Sequence, residues 1–214
     1  SESPDALTLP SLIAEALHIK FPGLTLAVTN LGVSSSNSYQ ELLRVIYEIK
    51  IGNIPDVLIM YNGVNDAVYG TYYANEAVTL FEQYRKMKEA TGKLVDIKRF
   101  IASTNFARAL VSMEFTYRRN AAYRRNAKIT SKQYLRNMQM LHSISEMYGF
   151  DLYLFLQPHL FSGKHLSETE RKHALGNEVT WPGMKFGLLA GYDAISTRMK
   201  VWDYPRFFNM KNEF

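Results

Sequence analysis

Apolar side chains along this chain recur at two spacings, one helical and one extended, and stretches of the two kinds alternate. Residues 8–17 carry apolar positions at helical spacing and predict a helix that begins near Pro10, a residue favoured in a first helical turn. Phe21-Pro22-Gly23 reads as a turn, and residues 24–30, rich in Leu, Val and Thr, as a strand. A loop of small residues over 31–38 leads into a second amphipathic helix over 39–49, stopped by Gly52-Asn53-Ile54-Pro55. Residues 56–61 predict a strand without alternation, as expected when both faces are covered. The pattern then predicts a loop over 62–70, a helix over 75–90 and an irregular basic insertion over about 91–130. Thr130 or Ser131 caps a helix reaching Tyr148, with Leu135, Met138, Leu141 and Ser145 or Met147 inward, and Gly149 ends it. A third strand over 151–156 stops at Gln157-Pro158. A charged helix near 167–175 and a last helix near 184–199 follow.

Strands alternating with helices imply a parallel sheet covered on both sides, here an α/β fold. No linker and no repeat of 20–50 residues divides the chain, so residues 1–214 read as a single domain. In open parallel sheets, ligands bind beyond the carboxyl ends of the strands. The informative positions are therefore 30–37, 62–66 and 157–159.

Composition narrows the chemistry. The 214 residues, 47% of them hydrophobic, are enough for one buried core. No apolar run approaches the ~20 residues needed to cross a bilayer. Zero cysteines exclude disulfides, thiolate metal sites and a cysteine nucleophile. The net charge of +5 is uneven: residues 85–136 sum to +11 and the rest to −6. In that basic stretch, Arg118, Arg119, Arg124 and Arg125 interleave with Tyr117, Tyr123 and Tyr134, a mixture that can bind nucleic acid. No recognition fold accompanies it, so a solvated face is expected and no nucleic-acid partner.

Gly63-Val64-Asn65-Asp66 follows the strand that opens Ile54-Pro55-Asp56-Val57. A second loop, Asn30-Leu31-Gly32-Val33-Ser34, follows the preceding predicted strand. The separation of 33 residues from Gly32 to Asn65 is enough for one helix and one strand between the two loops. The chain thereby resembles the SGNH (GDSL-type) hydrolases. Gly32 matches that family's glycine block and Asn65 its Gly-Xaa-Asn-Asp block. Leu9-Pro10-Ser11-Leu12 looks like the helix after the family's serine block, and Phe155-Leu156-Gln157-Pro158 like a later strand of one subgroup. The resemblance covers about residues 5–80 and 130–170.

The resemblance implies a three-layer α/β/α sandwich with a flavodoxin-like parallel sheet. It also implies ester hydrolysis through an acyl-serine, with Gly32 and Asn65 as oxyanion donors. Asn30, Asn62, Asp66, Gln157 and His159 are possible lining residues. Neither the family's Gly-Asp-Ser run nor its Asp-Xaa-Xaa-His run occurs here: Asp193 precedes Ala-Ile-Ser and Asp203 precedes Tyr-Pro-Arg. Nucleophile and base are thus expected outside these residues, and the 214 residues read as a fragment, incomplete at both ends and inactive alone. The alternatives are an O-acyltransferase of the same fold and a non-catalytic relative that binds acylated glycans. The expected partner is a small acylated substrate, a carbohydrate or lipid ester, with no cofactor and no metal. The resemblance leans towards an extracytoplasmic location. Ser34, Ser35, Ser36 and Ser38 read as a flexible loop and a cap for the helix starting at Tyr39.

Overall fold

A computed structural model describes residues 8–73, 105–159, 161, 167–180 and 184–210. The expected helix over 75–90 and the start of the basic insertion, 91–104, lie outside the described residues. The chain divides into two compact units, Ser1–Ser34 and Ser35–Phe214.

In the first unit, α1 spans Leu9–Lys20, with Pro10 in its first turn and none of its residues buried. The turn at Pro22-Gly23 follows. The expected strand over 24–30 is absent: the backbone there joins no ladder among the described residues, and Leu24, Leu26 and Val28 stay exposed. Alternating side chains favour extension, but a strand exists only through hydrogen bonds to a neighbour.

The second unit opens with α2, Ser38–Lys50, whose buried positions Ser38, Leu42, Val45 and Ile49 repeat at helical spacing. Its cap is Asn37, not one of the serines. The Asn37 side chain accepts from the Gln40 N–H, and the Gln40 side chain accepts from the Asn37 N–H. Strand β1 is Val57–Asn62. Residues expected to loop beyond it form helix α3, Val64–Tyr73. Helix α4 runs unbroken over Asn105–Tyr148, so Thr130 and Ser131 lie inside it rather than capping it. The expected irregular insertion is therefore helical from Asn105 onward. Its 44 residues contain no Gly and no Pro to interrupt it. Gly149, at φ 76°, turns the chain into β2, Asp151–Leu156. Helices α5, Glu168–Thr180, and α6, Met184–Trp202, lead to a short strand β3, Phe207–Asn209, which the residue pattern did not signal.

The fold is mixed α/β around a small parallel sheet of order β1-β2-β3. Val57 stands opposite Asp151 and Asn62 opposite Leu156, while Leu154 to Leu156 pair with Phe207 to Asn209. Both crossovers are long and helical, as parallel neighbours require. One face of the sheet forms the core: Met60, Leu152, Leu154 and Leu156 are buried with Tyr134, Met138 and Leu141 of α4 and Leu188, Tyr192, Ile195 and Met199 of α6. Among the described residues, burial along β1 alternates. Val57, Ile59 and Tyr61 are exposed on the other face, where Phe155 stacks on exposed Phe208 with ring centroids 4.9 Å apart.

Tyr123 and Tyr134 of α4 are buried, on the same stripe as Asn126, Ala127, Thr130, Ser131, Asn137 and Met138. Arg124, Arg125, Lys128, Lys132 and Arg136 are exposed on the opposite side. The Tyr123 and Tyr134 rings thus point away from these exposed cations, and Arg124 lies over the Phe186 ring at 5.5 Å.

Candidate functional site

The carboxyl end of β1 runs into Gly63, which has φ 104°. Only glycine adopts that conformation readily, and a side chain there would also strike Leu156, its Cβ meeting Cδ1 at 2.4 Å. This turn lets α3 start directly at Val64 and places Asn65 and Asp66 in its first turn.

Three of these residues are fixed by hydrogen bonds from outside their own segment. The Asn65 Nδ2 donates to the Ser36 carbonyl at 2.8 Å. The buried Asp66 carboxylate accepts from the Ser38 N–H, at 3.0 Å and 3.2 Å, and from the Ser38 hydroxyl. A carboxylate there meets one of the unpaired N–H groups of the α2 amino terminus, the positive end of that helix. Asn62 Oδ1 accepts from the Tyr134 hydroxyl at 2.7 Å, and Asn62 Nδ2 donates to Glu41. Asn137 Nδ2 donates to the Ser38 hydroxyl at 2.9 Å.

Two rungs therefore join α4 to α2. Tyr134, Asn62 and Glu41 make one; Asn137, Ser38 and Asp66 make the other. Tyr134 and Asn137 sit three residues apart on α4, and Ser38 and Glu41 three apart on α2, so each pair shares a helix face. Burial pushes the Tyr134 phenol up, reinforced by Asp66 and Glu41. Burial also pushes the Glu41 carboxyl up, to about 8, with Asp66 adding to the shift; Asn62 and Arg44 oppose it.

At the end of β2, the Gln157 N–H donates to the Asn62 carbonyl at 2.9 Å, carrying the parallel ladder one step further. The Gln157 carbonyl accepts from the Tyr192 hydroxyl at 2.6 Å. His159 is buried, with its ring edge-on to Tyr192 at 4.5 Å. Its Nδ1 accepts from the Phe161 N–H at 3.1 Å, which puts the proton of a neutral imidazole on Nε2.

Of the residues expected from sequence, Asn30 and Gly32 belong to the first unit and Asn62, Asn65, Asp66, Gln157 and His159 to the second. Gly32 donates its N–H to Asn30 Oδ1 at 2.9 Å and does not adopt positive φ. The structure joins Asn62 to Gln157 directly and His159 to Gln157 through Tyr192. It brings in Ser38, Glu41, Tyr134, Asn137 and Tyr192, which sequence reasoning missed. Glu41 had left a signal: it lies on the inward stripe of α2 between Ser38 and Val45, where a carboxylate needs a partner.

Among the described residues, no group of three or more His, Asp or Glu side chains could hold a metal ion. No described helix is long and apolar enough to cross a membrane. No protein-family model, curated protein or solved structure matches the chain.

Proposed function

We propose that the chain carries oxyanion-stabilising parts of an SGNH-type serine hydrolase, an ester hydrolase or O-acyltransferase built on a flavodoxin-like three-layer sandwich. One observation carries the reading: Asn65 stands in the first turn after a glycine elbow, at the carboxyl end of a parallel strand, with its amide held by the Ser36 carbonyl. A carbonyl accepts only from the nitrogen side of an amide, so this bond fixes the amide's orientation. The amide has two N–H groups and Ser36 engages one. The other is the donor the reaction uses.

In that reaction a serine hydroxyl gives its proton to the base, its oxygen bonds to the acyl carbon of the ester and the carbonyl electron pair moves to oxygen. Donors aimed at the resulting oxyanion lower the barrier because they are already oriented. The tetrahedral intermediate then expels the alcohol, which takes a proton from the base, and leaves an acyl-serine. Water resolves it in a hydrolase and an acceptor hydroxyl in an acyltransferase. No Gly-Asp-Ser or Asp-Xaa-Xaa-His run lies in these 214 residues, so this reading takes nucleophile and base from elsewhere in the gene product.

Asn65→Ala in the complete gene product is expected to lower kcat on a small aryl ester by roughly 10²-fold or more, with little change in KM. Near-normal turnover in the variant overturns the assignment. A wild-type protein that binds acetylated glycans without turning over esters favours the binding relative instead.

A further inference from the structure

The second rung ends on one acid, Asp66, and the first on another, Glu41, and the two are bound very differently. Asp66 is buried and accepts from the Ser38 N–H, shared between its two oxygens, and from the Ser38 hydroxyl. That pattern suits an ionised carboxylate. Glu41 accepts from the neutral Asn62 amide. The charged and titratable groups facing Glu41 are Asp66 from α3, Tyr134 from α4 and Arg44 from its own helix.

We propose that Glu41 is a proton-controlled latch: protonated, it lets the first turn of α2 rest on Asn62 and Asp66, and ionised, it drives that turn away from Asp66. The geometry dictates the direction of movement. Ser38 and Glu41 are one helical turn apart on α2, whereas Asp66 belongs to α3. A negative charge at Glu41 is desolvated by burial and repelled by Asp66, and an outward shift of the first turn of α2 relieves both while giving up the Ser38 bonds. Like charges in a partly buried site are relieved by protonation or by separation. The latch stands independently of the esterase reading.

Its pH window follows from the Glu41 carboxyl, held up to about 8 against an ordinary 4.5. Between those values the folded chain binds more protons than the unfolded one, so stability falls as pH rises through the window and then levels off. The experiment measures hydrogen-exchange protection of the Ser38 amide from pH 5 to 9, in wild type and Glu41→Gln. It also follows the Glu41 side-chain carboxyl by carbon NMR in wild type. The expected result is an NMR midpoint well above the ordinary carboxylate range. Ser38 protection should fall at least about tenfold across that midpoint in wild type and stay flat in Glu41→Gln. A Glu41 carboxyl that titrates near 4.5, or equal loss of Ser38 protection in both proteins, overturns the latch. If Glu41→Gln does not fold, wild type alone decides: Ser38 protection that stays flat across the Glu41 midpoint overturns the latch.

Discussion

Gly63 carries two constraints at once, a left-handed backbone and a Cβ position already occupied by Leu156. Leu156 is fully buried, so it cannot swing aside freely. Gly63→Ala is therefore expected to cost more than about 2 kcal/mol, combining backbone strain with overpacking. Urea unfolding checks it, and a loss under about 0.5 kcal/mol would mean that the elbow relaxes. The same residue marks how much of the site was legible. Asn62, Asn65, Asp66, Gln157 and His159 stand at strand ends, where the rule for parallel sheets directs attention. What each side chain does there was not legible. Asp66, a lining candidate from sequence, ties down the amino terminus of α2, and Asn62 is taken up by Tyr134 and Glu41.

Among the elements, α3 is packed closely against two larger helices. A Cβ on Gly191 of α6 would come within 2.9 Å of the Ala67 backbone, and one on Gly70 of α3 would meet the Thr130 side chain at 2.2 Å. Thr71 fills the space beside both α6 glycines, Gly187 and Gly191, and Asn126 of α4 donates to its carbonyl at 2.7 Å. Gly70→Ala alone should destabilise by about 1–3 kcal/mol through overpacking. Thr130→Ala removes the two nearest obstructing atoms, Oγ1 and Cγ2, and leaves Cβ, so the double variant should recover part of that loss. A thermal or urea double-mutant cycle measures the coupling. Strict additivity would mean that the two helices separate rather than clash. This crossing explains why residues 64–70, within the loop expected over 62–70, are helical: Asn, Gly and Asp are turn formers in isolation, and packing against α4 and α6 overrides that preference.

For the whole molecule, the sheet is lopsided. Its inner face is sealed by α4 and α6, while Val57, Ile59 and Tyr61 line an outer face beside the β1 edge that pairs with no described strand. An apolar face next to a free edge invites association. Ile59 is 41% exposed, so Ile59→Lys should lower light scattering at tens of micromolar protein. Its effect on unfolding free energy should stay within about 0.5 kcal/mol, as for other exposed positions. A loss above about 2 kcal/mol would show that this face is covered in solution.

By itself the sequence determined the local elements whose pattern is self-contained. Helices α1, α2, α5 and α6 and strands β1 and β2 sit near their expected positions, because side-chain periodicity records which face of a segment turns inward. It also placed the Gly63–Asp66 block directly after β1. Only the tertiary structure decided the rest. Among the described residues, it left 24–30 without a ladder, made α4 a 44-residue helix and left Val57, Ile59 and Tyr61 exposed on one face of the sheet. It also assembled the two rungs, whose hydrogen bonds join residues 28, 72 and 99 positions apart. Strand pairing, burial and buried polar contacts each depend on a distant segment arriving at the right place, and no local pattern encodes where that segment comes from.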